Sequence, residues 1–171
     1  MKDAGMWIIA ASVMGLGCAA AEAAADRYRA LRQVENMLTL ISDEIRCSFS
    51  PFYQVFRSLA KRLDEPWKEF LEKMAEELDA FSGKSFYQIW QDGVDGLPKN
   101  CGLAASDRGE LKALGKGLGY LDAQVQMDAI RHFLLGWEQR TEDVRMDLKN
   151  KQRMYRCLGA ASGLVILILL M

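Results

Sequence analysis

Residues 122–171, DAQVQMDAIRHFLLGWEQRTEDVRMDLKNKQRMYRCLGAASGLVILILLM, read as one helix written for two solvents. In the first part Met127, Ile130, Leu134, Trp137, Val144 and Leu148 keep a three-and-four rhythm, interrupted at Thr141, with charged residues on the other faces. Asp122 caps this helix, and only Gly136 weakens it before the apolar end. From Leu158 to Met171 no charge remains. Fourteen residues of helix span about 21 Å, short of a hydrocarbon core of roughly 30 Å. Met154 and Tyr155 add a turn of apolar reach, and Arg153 and Arg156 can lay their stems along the bilayer edge with their charges among the headgroups. The expectation is one short membrane span. The competing reading, a buried helix closing a soluble domain, would leave stacked Leu-Ile-Leu-Leu as a sticky end in water.

The opposite end repeats the theme more softly. Residues 4–21 are apolar apart from Ser12, rich in alanine and glycine, with Trp7, Ile8, Ile9, Val13, Met14 and Leu16 supplying most of the transfer free energy. Three readings are open: a retained transmembrane helix, whose Gly15, Gly17, Cys18 and Ala19 would admit a close partner helix; a cleaved signal peptide using the Ala-x-Ala triplets between Ala19 and Ala25; and a lipoprotein signal ending at Cys18, which lacks the aliphatic residue three places upstream. Basic residues weigh between them. Arg27, Arg29 and Arg32 follow the first segment, and Lys149, Lys151, Arg153 and Arg156 precede the second, so both sets flank the middle of the chain. Because insertion resists translocating Lys and Arg, this favours a retained helix, both termini outside and the middle in the cytoplasm. The expected division is a transmembrane segment or possible signal peptide at 1–25, a cytoplasmic helical platform-like domain at 26–156 and a second transmembrane segment at 157–171.

The roughly 130 residues between the spans suffice for one core. Their surroundings are electrically balanced, with 22 Lys and Arg against 23 Asp and Glu in the whole chain, unlike the basic footprint of a nucleic-acid binder. Cys47 and Cys101 form no Cys-x-x-Cys pair and read as reduced packing residues.

Within that middle, Leu31, Val34, Leu38, Ile41 and Ile45 make one apolar seam, and no proline or glycine falls between Glu22 and Phe49, so the first helix continues out of the first span. Ser50-Pro51 predicts a second helix to about Arg62, burying Phe52, Val55, Phe56 and Leu59. Asp64-Glu65-Pro66 predicts a third, with Trp67, Phe70, Leu71, Met74, Leu78 and Phe81 on one face and most charges on the other. Ser82-Gly83-Lys84 ends it, and Ser85 opens a short fourth helix carrying Phe86, Ile89 and Trp90. Residues 93–106 hold four glycines or prolines and read as the longest loop and the expected hinge. A fifth helix is expected from Asp107, with Leu111, Leu114 and Leu118 inside; Gly115, Gly117 and Gly119 each cost it about 1 kcal/mol relative to alanine, for which close helix packing would be a reason. No segment alternates with period two. The fold expected is all-α: a membrane-anchored helical bundle whose long first and last helices are continuous with transmembrane segments.

Chemistry is sparse. His132, the only histidine, stands between Arg131 and Phe133 with no ligand-spaced Cys or His nearby, and reads as a surface or packing residue. Ser82-Gly83-Lys84-Ser85 looks like the end of a phosphate loop but lacks the upstream glycine and the delivering strand, and Gly115-Lys116-Gly117-Leu118-Gly119 likewise follows a helix. Glu76-Glu77 and Glu142-Asp143 sit on mixed-charge helix faces. No catalytic, cofactor-binding or metal-binding residue is assigned, no cofactor is expected, and the chain reads as a non-enzyme that serves as an interaction surface.

Three stretches carry a family resemblance: Leu40-Ile41-Ser42-Asp43-Glu44-Ile45-Arg46 followed by Ser50-Pro51-Phe52; Leu114-Gly115-Lys116-Gly117-Leu118-Gly119 followed by Asp122, Gln124 and Gln126; and Asn150-Lys151-Gln152-Arg153-Met154-Tyr155-Arg156-Cys157-Leu158-Gly159 running into the tail. In order, spacing and position they resemble the stage III sporulation protein AB family of endospore-forming bacteria, over the length of the chain. Leu121, where the family more often has serine, is a departure. The resemblance implies a component of the mother-cell channel complex facing the forespore, with a soluble domain similar to the cytoplasmic domains of the platform protein of type II secretion and type IV pilus machines. It further implies docking of a cytoplasmic ATPase, the stage III sporulation protein AA, and contact with other membrane subunits of the channel. The alternative is an exported, tail-anchored structural protein whose first segment is cleaved.

Overall fold

In the computed structural model the described residues are 22–47, 51–80, 83–120, 122–151 and 153–154, with the backbone of the first and last helices also described beyond them. The elements are α1 (Lys2–Cys47), α2 (Phe52–Ala60), α3 (Trp67–Asp79), α4 (Phe86–Gly96), α5 (Ala105–Leu118) and α6 (Ala123–Leu170), and no strand occurs among the described residues. The all-α expectation holds. The unbroken seam of α1 is its reason for running long: Leu31, Val34, Met37, Leu38 and Ile41 are each wholly buried, while Arg32, Gln33, Asn36 and Thr39 between them face out.

Each helix packs on its neighbours in sequence, and α6 returns to α1 to close a ring. The two long helices are antiparallel, since Tyr28 shares a groove with Arg145, and Thr39 shares one with Asp128 and Arg131. Three tryptophans staple the ring as well as filling it. The Trp137 indole donates to the Leu31 carbonyl at 3.0 Å, Trp90 to the Leu111 carbonyl at 2.7 Å and Trp67 to the Gln33 side chain at 3.2 Å. Buried indole N–H groups need such partners, and here each partner lies on a different helix.

Capping follows the sequence at α4 and α6, whereas at α3 Pro66 itself is the cap position and Asp64 does not cap with its side chain. Ser85 and Gln88 form a reciprocal capping box at the start of α4. Asp122 accepts from the Gln124 amide at 2.7 Å, so the expected cap of α6 is present. Gln126, buried, reaches back from α6 to the Leu118 and Tyr120 carbonyls, which closes the α5–α6 turn. Pro51 stands at the cap of α2 and not inside its first turn. Ser50, Phe81, Ser82 and Leu121 lie outside the described residues.

The loop differs most from expectation. Helix α4 runs on to Gly96, so the irregular segment is 97–104, and it is no free hinge. Leu97 and Leu103 are buried in the core. Arg108 donates to the carbonyls of Val94, Leu97 and Pro98 and to the Cys101 sulfur, a cation seated on the last carbonyls of α4. Gly102, at φ 85°, lies directly on α1, where a Cβ would come within 2.7 Å of the Asp26 carbonyl oxygen.

The glycines of α5 are explained in part. A Cβ on Gly115 would sit 2.5 Å from the Trp90 ring, and one on Gly117 2.5 Å from the Ala129 methyl, so each admits a neighbouring helix. Gly119 meets only ordinary contacts at its end. Cys47 is exposed and corrects the packing role expected of it, whereas Cys101 does pack against the core. Among the described residues no helix is long and apolar enough to cross a membrane. The side chains of 2–21 and 155–170, on which the expected spans at 1–25 and 157–171 depend, lie outside those residues.

Candidate functional site

The residues that looked superficially chemical are dispersed. His132 is exposed on α6. Lys84 is held by Asp92 at 2.9 Å and lies 3.7 Å from Glu77, so the Gly83-Lys84-Ser85 turn offers no cradle for phosphate; Gly83, at φ 77°, supplies the turn. Gly115-Lys116-Gly117 is regular helix with both glycines against neighbours. Among the described residues no group of three or more His, Cys, Asp and Glu could hold a metal ion.

What the structure does bring together is a buried ion cluster that sequence reading missed. Asp107 is fully buried in the first turn of α5. Its Oδ2 accepts from Arg27 Nε at 3.1 Å and from the Ala104 amide at 3.0 Å. Its Oδ1 accepts from Arg27 Nη2 and from Arg140 Nη1, both at 3.1 Å. These occupy the lone-pair capacity of a carboxylate, and Arg140 also binds Glu110. One buried carboxylate thereby joins both long helices to α5. Burial alone would lower the Arg140 pKa, but Glu110, then Asp107, outweigh it and raise it. A signal was present in the sequence: Asp107 lies on the stripe of Leu111, Leu114 and Leu118, where a charge needs a partner.

Thr141, the break in the α6 rhythm, is buried too and donates its hydroxyl to the Trp137 carbonyl at 2.9 Å. Beside it, a polar groove between α1 and α6 carries Tyr28, Arg32 and Arg145. Both arginines are held on their own helices, Arg32 by Glu35 and Arg145 by Glu142, and each has its pKa raised chiefly by that hydrogen bond. A second groove, apolar beneath and acidic at its rim, opens between α3 and α4, lined by Met74, Glu76, Glu77, Ile89, Asp92 and Gly93 among others. Lys73 pairs with Glu69 at its edge at 2.8 Å. Hydrogen bonds that Lys73 and Lys84 donate to Glu69 and to Asp92 are the main reasons that the pKa values of the two lysines are raised. Nothing in these clusters pairs a nucleophile with a base; they are geometries that hold helices together.

Comparison with known proteins is consistent along the chain. The family profile described as stage III sporulation protein AB matches residues 2–171. The Stage III sporulation protein AB of Bacillus subtilis (strain 168) is 25% identical over 171 residues, covering 100% of this chain and 99% of that protein. A solved structure of a Stage III sporulation protein AB is similar with a TM-score of 0.63 at 25% identity, covering 72% of this chain and 97% of the solved one.

Proposed function

Because this chain belongs to the stage III sporulation protein AB family, and its role is therefore in sporulation, we propose that it is a non-enzymatic membrane platform of the channel complex between mother cell and forespore. In this reading residues 1–25 and 157–171 span the mother-cell membrane facing the forespore, and residues 26–156 stand in the cytoplasm. The platform docks a cytoplasmic ATPase, the stage III sporulation protein AA, and its spans meet other membrane subunits. The observation that carries the reading is the pairing of a whole-chain family match with a closed helical ring from which two antiparallel long helices continue into apolar sequence. A ring stapled by a buried ion cluster is suited to bearing load between a partner on its outer face and the bilayer.

Cys47, exposed near the end of α1, supplies the topological test. A thiol reagent that cannot cross membranes should leave it unlabelled in intact cells and label it after permeabilisation; labelling from outside would remove the cytoplasmic assignment. Intact mass of the mature chain should retain residues 1–21, and their loss would favour the exported, tail-anchored alternative. Affinity purification from sporulating membranes should recover the ATPase, and recovery of other channel subunits without it would overturn the docking role.

A further inference from the structure

Helices α3 and α4 pack chiefly on α2, on α5 and on each other, with the Trp67 indole of α3 bonded to Gln33 of α1, and between them lies an open groove of about 500 Å³. Its floor is formed by Met74 and Ile89, both nearly buried, and by Gly93, whose missing side chain lets α4 close on Phe70 and Met74; a Cβ there would meet them at 2.9 and 3.1 Å. Its rim carries Glu76, Glu77 and Asp92, with Lys73 beside them. The rim belongs to a wider imbalance. Residues 67–96 hold seven carboxylates against three lysines and no arginine, although the whole chain has a net charge of only −1. Two of those lysines are engaged, Lys73 by Glu69 and Lys84 by Asp92, while exposed Glu76 has no ion pair among the described residues. Glu77 and Asp92 share Lys84, Asp79 meets Arg57 and Asp95 meets Lys112, so among the described residues the carboxylates left without an ion pair are Glu72 and Glu76, the latter at the edge of the apolar slot.

A slot between two antiparallel helices accepts a third helix, whose residues at i, i+3, i+4 and i+7 enter the apolar floor while its flanking side chains meet the rim. Acidic rims select basic flanks and speed encounter with them. We infer that the α3–α4 groove is the docking site for an amphipathic helix of the ATPase, with Lys or Arg flanking its apolar face. This rests on the platform reading and adds where, and by what chemistry, the partner binds.

The test uses the full chain in sporulating cells. Glu76→Lys with Glu77→Lys reverses the rim, and Glu138→Lys with Asp143→Lys makes the same change of charge on α6. At about 0.1 M salt, where screening reaches about 10 Å, the groove variant should recover about tenfold less ATPase, while the α6 variant matches the parent. An equal fall in both variants would make the effect one of net charge and overturn the assignment. Undiminished recovery by the groove variant would overturn it and leave the platform intact, whereas a parent that recovers no ATPase would remove the platform reading itself. If the reversed rim disturbs folding, a photo-crosslinking residue at exposed position 76 reads the same contact. An adduct on a helix of the ATPase flanked by basic residues supports the groove; an adduct on an acidic segment, or none while the ATPase is recovered, refutes it.

Discussion

The α2–α4 side of the ring and the α1–α5–α6 side are built from similar amphipathic helices but cemented with different chemistry. On the first side Phe52, Phe86, Trp90, Phe70 and Trp67 form a continuous aromatic chain, with successive centroids 5.1, 6.1, 5.3 and 5.9 Å apart. On the second, Arg27 and Arg140 converge on buried Asp107. Aromatic burial is large and tolerant of small shifts, whereas a carboxylate with filled lone pairs accepts one arrangement. The lesson is a division of labour: aromatics supply stability to the outward side, and on the other side ions act beside the Trp137 staple to Leu31 in fixing the register of the two long helices.

That contrast can be broken most forcefully at Trp90. Trp90→Ala empties the centre of the aromatic chain and orphans the Leu111 carbonyl bond; unfolding of the full chain in mild detergent should lose about 4 kcal/mol. Asp107→Ala should lose about 2–3 kcal/mol in the same unfolding measurement, less than for a fully enclosed pair because Arg27 and Arg140 are 36% and 28% exposed and can rehydrate. A loss exceeding that of Trp90→Ala would reverse the division of labour. Paired spin labels on α1 and α6 sharpen it further: their distance distribution should broaden in Asp107→Ala and stay narrow in Trp90→Ala.

Smaller effects test the helix contacts. Gly115→Ala forces a methyl against Trp90 and should destabilise by about 1–3 kcal/mol. Gly136→Ala meets nothing within 4 Å and lies in exposed helix, so thermal melts should show stabilisation of up to about 1 kcal/mol. Lys73 and Lys84 have raised pKa values, so the stability from their ion pairs is complete below the unfolded lysine value of about 10.4 and lost as pH rises through the folded one. Between about pH 7 and 9 these lysines should therefore give melting points no pH dependence, and Lys84→Met should soften the decline above that range.

Periodicity and punctuation determined much of this protein from its sequence. The seam from Leu31 to Ile41, the cap at Ser85, the cap at Asp122 and the long proline-free first and last helices are local statements, because a helix's buried stripe and its orphan amides are set by residues within a few positions. The family resemblance rested on the same stretches. Tertiary structure alone decided the partners. Arg27 and Arg140 stand 80 and 33 residues from Asp107, and no helical period announces which distant guanidinium will neutralise a buried carboxylate. Likewise residues 97–104, rich in apparent freedom, are fixed by Arg108 and by contact with α1, and the acidic slot exists only because α3 and α4 lie side by side. Local patterns select elements because their free energies are short-ranged; assembly selects contacts, since burial and charge pairing are settled by which surfaces meet.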